Sequence, residues 1–156
     1  MLKSMQNYID QQKKDEIERK ELYSHRIHIM ECAIKLLKEH LHYKTVNKRI
    51  TDKFDCKVGD GKHVRMFIDK EYSTTNRLRF LWSNKGWEEL NFHFYQDNIT
   101  PQILIDDLEE NLKRHKEWVS DKIDFEAMAK FFGDLSALCD TEMKIKWLTA
   151  ERWSRY

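Results

Sequence analysis

Glu21, His25, His28 and Cys32 are the residues of this sequence whose types and spacing come closest to a metal site. They follow one another at intervals of four, three and four residues, which places them on one face of a helix. Carboxylate, imidazole and thiolate groups are all ligands that zinc accepts. Ligands spread over several turns of one straight helix cannot converge on one ion, so a second element or subunit would have to complete the coordination. We therefore interpret this stripe as a solvated helix face, and we predict neither a bound metal nor a cofactor.

A second group of side chains shares one face of a predicted β-sheet. Apolar residues occupy every second position of the segments 64–68, 78–82 and 90–94, so the intervening side chains lie on the opposite face. Arginines and aromatic rings on an open sheet face are typical of single-stranded nucleic-acid binding, and the same side chains are enriched in protein interfaces. We predict that this face binds a protein partner or a nucleic acid through Arg65, Phe67, Arg77, Arg79, Trp87, His93 and Tyr95.

The distribution of charge favours a protein partner over a nucleic acid. The formal net charge of the chain is +1, whereas a nucleic-acid-binding domain usually carries a clear excess of Lys and Arg. Residues 43–95 carry eleven basic and seven acidic side chains, and residues 96–156 carry nine and thirteen. Because these two segments have net charges of +4 and −4, we expect them to attract one another within the chain.

The sequence contains no arrangement of residues that is typical of an enzyme. The acidic cluster in residues 106–110 follows Thr100-Pro101, and acidic residues near the start of a helix are favoured by its dipole. The cysteines form no Cys-x-x-Cys pair, and no identifiable base accompanies a nucleophile. The sequence therefore favours binding over catalysis.

One long helix is predicted from Ser4 to about His42, because helix-forming residues dominate and neither Gly nor Pro interrupts them. Residues 10–21 are almost entirely polar, so we expect residues 1–21 to project as a helical arm from a single domain of residues 1–156. Apolar residues recur at spacings of three and four from Tyr23 to Leu41, which predicts a face packed in a core groove or a helix seam. Self-association through this helix is predicted to involve Leu2, Met5, Ile9, Tyr23, Ile27 and Met30.

The middle of the chain predicts an antiparallel sheet. Two alternating apolar segments flank Ser83-Asn84-Lys85-Gly86 within residues 76–95, and this pattern is typical of a β-hairpin. Residues 63–69 add a third strand. Residues 45–58 fit either a short helix capped by Asn47 or a fourth strand that turns at Gly59-Asp60-Gly61. We favour the helix because the intervening Asp and Lys residues form strands poorly.

The C-terminal part predicts helices that begin after Thr100 and Asp124, both of which are good N-cap residues. Thr141–Trp153 fits a third helix or a short strand. The predicted fold class is α+β: a three- or four-stranded antiparallel meander flanked by the long N-terminal helix and two or three C-terminal helices.

The predicted location is the cytoplasm. No apolar run is long enough to span a membrane, and the N-terminus lacks the apolar segment of a signal peptide. Three widely separated cysteines suit reduced thiols better than a disulfide framework. We expect a non-catalytic protein that binds another protein and self-associates, with single-stranded nucleic-acid binding and a small enzyme of unknown class as the alternatives.

Overall fold

Helices and antiparallel strands form an α+β fold in this computed structural model, which describes residues 2–83 and 86–138. This confirms the predicted fold class, and the element predicted at residues 141–153 lies outside the described residues. None of the helices within the described ranges is long and apolar enough to cross a lipid bilayer. In chain order the elements are α1 (Lys3–Lys38), α2 (Lys48–Thr51), β1 (Lys57–Val58), β2 (Lys62–His63), β3 (Arg65–Tyr72), β4 (Thr75–Ser83), β5 (Trp87–Phe94), α3 (Pro101–Ser120) and α4 (Phe125–Leu138).

The described chain divides into two compact units. Residues 22–120 form the sheet unit, and residues 2–21 and 121–138 belong to the helical unit. The first half of α1 therefore contributes to the helical unit and its second half to the sheet unit. Each unit has a buried apolar cluster of its own.

Three strands of the sheet unit form the predicted antiparallel meander, in the order β3-β4-β5. In its register, Leu78 of β4 pairs with Ile68 of β3 and with Phe92 of β5. The face that carries these apolar residues packs into the core, as the alternation predicts. The turn between β4 and β5 includes two residues outside the described part, and the following Gly86 has a φ of 141°, which glycine adopts readily.

Residues 45–58 combine the two alternatives that the sequence left open. Asn47 caps the single-turn helix α2, where its side chain accepts a hydrogen bond from the backbone N–H of Arg49 at 2.9 Å. The predicted helix does not continue beyond Thr51, because the extended chain that follows buries both Cys56 and Val58. β1 then pairs with β2 in a separate two-stranded sheet, so among the described residues the meander has three strands and not four.

The second half of α1 supplies much of the core of the sheet unit, as its apolar stripe predicts. α3 packs there as well, and it starts at the predicted cap, where Thr100 Oγ1 accepts a hydrogen bond from Ile103 N–H at 3.3 Å. Burying a large apolar side chain stabilises a fold by about 1.5–3 kcal/mol, so this cluster dominates the stability of the unit. Its fully buried members include Ile29, Met30, Ala33, Leu37, Leu78, Phe80, Trp82, Leu104 and Leu108.

The helical unit pairs the start of α1 with α4. Met5 and Ile9 are 1% and 3% exposed, and they cluster with Met128 and Phe132 of α4. Residues 1–21 were predicted to project as an arm because residues 10–21 are polar, but the apolar face of α4 covers Met5 and Ile9 in the turns before them. α4 begins at the predicted cap Asp124, whose carboxylate accepts a hydrogen bond from Ala127 N–H at 2.9 Å.

The residues predicted for self-association differ widely in exposure. Met5, Ile9 and Met30 are buried within the chain, so their apolar surfaces contact other residues of the same chain and are not available to a second copy. Tyr23 and Ile27 are half-buried. Leu2 is the most exposed of the six, at 36%.

Candidate functional site

The face of the meander that points away from the core, which we call the open face, carries the side chains that alternate with the buried ones. Every one of these side chains is half-buried or exposed. Six of the seven residues predicted to bind a partner lie on it within the strands, as the alternation requires, and Tyr95 directly follows the last residue of β5, Phe94. The open face comprises Arg65, Phe67, Asp69, Glu71, Arg77, Arg79, Leu81, Trp87, Glu89, Asn91, His93 and Tyr95.

Ion pairs join the three strands across the open face. Arg77 donates from Nε and Nη2 to the two carboxylate oxygens of Asp69, at 3.0 and 3.1 Å. Arg79 donates to Asp69 at 3.0 Å and to Glu89 at 2.6 Å. Arg79 on β4 therefore bridges β3 and β5 with charge-assisted hydrogen bonds, which are stronger than neutral ones.

These contacts lower the pKa of both carboxyl groups. The hydrogen bond from Arg77 holds the pKa of Asp69 below its usual value in spite of partial burial, and Arg79 lowers it further. Burial raises the pKa of Glu89, but hydrogen bonds from Arg79 and Asn91 outweigh this effect, so the pKa of Glu89 is lowered too. Both carboxylates are therefore charged at neutral pH and offset the charges of the two arginines.

Aromatic rings surround this charged network. The Arg79 guanidinium lies over the ring of Phe67, with Cζ 4.9 Å from the ring centroid, which is the geometry of a cation–π contact. Trp87 and Tyr95 are 75% and 80% exposed. Because they stand eight positions apart along an extended chain, at about 3.4 Å per residue, they lie at opposite ends of the face, about 27 Å apart.

The remaining predicted residues lie near the edges of the open face. His93 Nδ1 is 2.8 Å from a carboxylate oxygen of Glu71, so a third acidic side chain of the face has a basic neighbour. Arg65 is exposed. The face thus carries three arginines and three carboxylates, Asp69, Glu71 and Glu89, and the formal charges of these six groups cancel.

A groove of about 790 Å³ runs along β3 beside α2. Lys48, Thr51 and Phe54 line one side of it. Arg65 and Phe67 line the other side and also belong to the open face. The groove and the open face are therefore one continuous surface within the sheet unit.

His28, Cys32 and Cys56 form a second group, which we call the thiol cluster. One nitrogen or sulfur atom of each residue lies within 4.8 Å of those of the other two. Cys32 Sγ is 3.7 Å from Nε2 and 4.0 Å from Nδ1 of His28, because the two residues are one turn apart on α1. Cys56 reaches them from the segment before β1, where its carbonyl oxygen accepts a hydrogen bond from Val64 N–H at 2.9 Å.

The thiol cluster contains only two of the four residues in the stripe identified on the long helix. Of the described residues that could bind a metal, Glu21 and His25 do not join this group. His25 instead packs on the β1–β2 turn, where a Cβ added to Gly59 would lie 3.7 Å from its ring. Cys56 was not predicted to join His28 and Cys32, because no local spacing in the sequence connects it to α1. Folding supplies the second element that the helix alone lacked.

Cys56 is a weak acid in this environment. It is 3% exposed, and burial, followed by the hydrogen bond and the charge of Cys32, raises the pKa of Cys56 to about 12. Cys56 as a free group is therefore a protonated thiol at neutral pH, and a protonated thiol is a poor nucleophile.

Comparison with protein-family models, curated proteins and solved structures finds no significant match to this chain. No relative therefore assigns a role to the open face or to the thiol cluster, and each is judged by its own geometry and chemistry. The open face is the larger of the two, and its residues are accessible to a macromolecule.

A buried histidine lies elsewhere in the sheet unit. His115 is 5% exposed, and its Nδ1 donates a hydrogen bond to the carbonyl oxygen of Asn111 at 2.7 Å. Its ring packs against Tyr23 and Trp118, with centroids 5.5 and 5.0 Å away. Nε2 is buried without a hydrogen-bond partner among the described residues, and burial lowers the pKa of His115. We interpret His115 as a neutral packing residue between α1 and α3.

Proposed function

We propose that this protein is a non-catalytic binding protein, and that the open face docks a protein partner. The observation that carries this proposal is the internal pairing of Arg77 and Arg79 with Asp69 and Glu89 between two highly exposed aromatic rings. A fixed network that contains both positive and negative side chains favours a partner surface that presents both hydrogen-bond donors and hydrogen-bond acceptors. Trp, Tyr and Arg are also the residue types that most often dominate the energy of protein interfaces.

The same pairing argues against a nucleic-acid ligand. Binding to phosphates requires Lys or Arg side chains that neutralise them and release counterions. On the open face, Asp69 and Glu89 already occupy the hydrogen-bonding edges of Arg77 and Arg79. A polyanion would therefore have to compete with two carboxylates that are fixed in place, and it would be repelled by them.

The size of the surface indicates a transient complex. Three strands about 4.8 Å apart and about 27 Å long present roughly 400 Å² per partner, which is about half the area of a standard interface. The continuous groove beside α2 extends this surface, because Arg65 and Phe67 line both. We propose that a partner contacts the open face and enters this groove, with a Kd in the micromolar range, as expected of small transient interfaces.

Self-association and location belong to the same proposal. A second copy of this chain is one candidate partner, but contacts through α1 would have to rely on exposed residues such as Leu2 and Ile17, since Met5, Ile9 and Met30 are covered within the chain. We propose a cytoplasmic location, because an odd number of cysteines with Cys32 and Cys56 as free thiols suits a reducing compartment.

The test is affinity purification from native cells, with identification of both proteins and nucleic acids that bind. The wild-type chain is compared with the double variant Trp87→Ala, Tyr95→Ala. A matched control removes two exposed apolar side chains of the helical unit, Ile17→Ala and Leu138→Ala, which are 69% and 82% exposed in the wild type.

The proposal predicts a protein that is recovered with the wild-type chain and the control but lost with the Trp87 and Tyr95 variant. A loss of the same protein with the control variant alone would contradict it. Recovery of nucleic acid with the wild-type chain, with no protein that depends on the two rings, would favour the nucleic-acid alternative.

A further inference from the structure

The thiol cluster is built from two elements that the core holds in place. Ile29 and Ala33, which neighbour His28 and Cys32 on α1, are fully buried, so the position of this helix face is fixed. Cys56 is itself buried, and its carbonyl is tied to Val64. The convergence of one imidazole and two thiols is therefore a consequence of the fold, and does not depend on flexible surface side chains alone.

The distances within the cluster are close to those of a tetrahedral zinc site. With Zn–S bonds of about 2.3 Å and Zn–N bonds of about 2.0–2.1 Å, neighbouring ligand atoms lie about 3.5–3.8 Å apart. The 3.7 Å between Cys32 Sγ and His28 Nε2 falls in this range. The widest separation in the group is at most 4.8 Å, and it has to shorten by only about 1 Å. His28 is exposed and Cys32 is half-buried, so rotation of these two side chains can provide that change.

The donor set selects the class of metal. Thiolate and imidazole ligands suit zinc and other late transition metals, whereas magnesium and calcium require oxygen ligands. Two thiolates would also neutralise the charge of a divalent cation, so the loaded site would carry no net charge.

We propose that His28, Cys32 and Cys56 bind one zinc ion, with the fourth coordination position taken by solvent or by an external ligand. The ion would connect α1 to the segment between α2 and β1. Sites with three protein ligands keep such an open position, and this distinguishes the proposed site from a closed structural one. His25 lies outside the ligand set.

The test uses the full-length chain carrying Cys139→Ser, so that Cys32 and Cys56 are its only thiols. The protein is reduced, freed of metal with a chelator, and titrated with cobalt(II) and then zinc(II). We expect one equivalent of cobalt to give a thiolate-to-metal charge-transfer band with the intense visible bands of a tetrahedral site, and zinc to abolish both. Removal of a second-shell partner already weakens metal binding by about 10–100-fold, so His28→Ala, Cys32→Ser and Cys56→Ser should each weaken zinc binding at least about 100-fold.

His25→Ala is the matched control, because it removes an imidazole from the same helix one turn earlier. Circular dichroism establishes that each variant is folded, and the exposed residue His28 keeps the test valid if Cys56→Ser unfolds. Retention of wild-type zinc affinity by folded His28→Ala, or an equal loss with His25→Ala, would overturn the proposal. So would a Cys32–Cys56 disulfide in the freshly purified protein that, once reduced, gives no cobalt charge-transfer band, since the two thiols would then form a redox pair.

Discussion

The guanidinium of Arg79 lies over the ring of Phe67, its register partner on β3, with Cζ 4.9 Å from the ring centroid. Arg79 thus contacts an aromatic ring with its flat face, while its N–H groups bond Asp69 and Glu89. Few of its donors remain for a phosphate group. An arginine that a sequence pattern would assign to nucleic-acid binding is therefore used to organise a charge-balanced surface.

Removing the two carboxylates should create the polyanion binding that the wild-type face lacks. In the double variant Asp69→Asn, Glu89→Gln, Arg77 and Arg79 lose their anionic partners. We expect measurable binding to single-stranded RNA at low salt, with log affinity falling by about 0.7 per log unit of salt for each phosphate contacted. Fluorescence anisotropy measures this.

The matched control is Glu109→Gln, Glu110→Gln, which removes the same charge from the surface of α3. It should leave RNA binding at the wild-type level. Tight and steeply salt-dependent binding by the wild-type chain itself would show that the pairing does not block phosphate contacts.

The Asp69 network should contribute an acid-sensitive part of the stability. Because the pKa of Asp69 is lowered in the folded chain, its stabilising contribution is fully present above the ordinary Asp value, near pH 4, and is lost as the pH falls through the folded pKa. Asp69→Asn should lower stability at neutral pH by about 0.2–1 kcal/mol, the range for solvent-exposed ion pairs. The free energy of unfolding is measured in urea from about pH 2 to about pH 7, a range that spans the unfolded and folded pKa values of Asp69. In the acidic part of this range, stability should fall less steeply with pH in the variant than in the wild type. Equal slopes would contradict this account.

His115 should make the sheet unit less stable in mild acid. The pKa of His115 is lowered in the folded chain. At pH values above the unfolded pKa, about 6.5, His115 therefore does not make the stability depend on pH. Below it the unfolded chain takes up a proton that the folded chain does not, and stability falls until the folded pKa is reached. His115→Phe should remove this decline in thermal melts across mildly acidic pH, whereas the exposed control His63→Gln should keep it. A decline that persists in His115→Phe would assign it to another group.

The start of α1 should be required for the stability of the helical unit. Met5 is 1% exposed and packs against Met128 and Phe132. Replacing a buried side chain of this size with alanine lowers stability by about 2–5 kcal/mol, so Met5→Ala should do the same. Ile17→Ala, at a position 69% exposed, should change stability by less than about 0.5 kcal/mol. Chemical denaturation compares the stabilities of the two variants. In a separate experiment, deletion of residues 1–21 should expose the apolar face of α4 and increase the binding of a dye that recognises apolar surface. A deleted chain that melts as the wild type does would show that these contacts contribute little.

Local periodicity predicted much of the fold from the sequence. Alternation identified β3, β4 and β5 and their buried face, because each strand has one solvent-facing side and one buried side. Thr100, Asp124 and Asn47 were identified as helix caps, since their short polar side chains satisfy the first backbone N–H groups. The same alternation placed on one face the six predicted binding residues that lie within these strands, whereas Tyr95 follows the end of β5.

Contacts between distant segments could not be predicted in this way. The polarity of residues 10–21 suggested a free arm, but whether Met5 and Ile9 are covered depends on where α4 lies. The stripe on α1 was interpreted as a solvated helix face, because one helix alone cannot complete a metal site and Cys56 reaches His28 and Cys32 only after the chain has folded through α2. Ion pairs such as Arg79–Glu89 depend on the exact strand register, and alternation does not distinguish registers that differ by two residues.

Hydrogen exchange on the chain bound to its affinity-purified partner tests most directly the claim that the open face is the docking surface. β3 and β5 are the outer strands of the meander in the part of the chain that the structure describes, so about half of their amides lack a sheet partner there and can report a bound molecule. The account predicts slower exchange in residues 65–72 and 87–95 of the complex, with residues 2–21 and 125–138 unchanged. Slower exchange confined to residues 2–21 and 125–138 would contradict it and would place the partner on the helical unit.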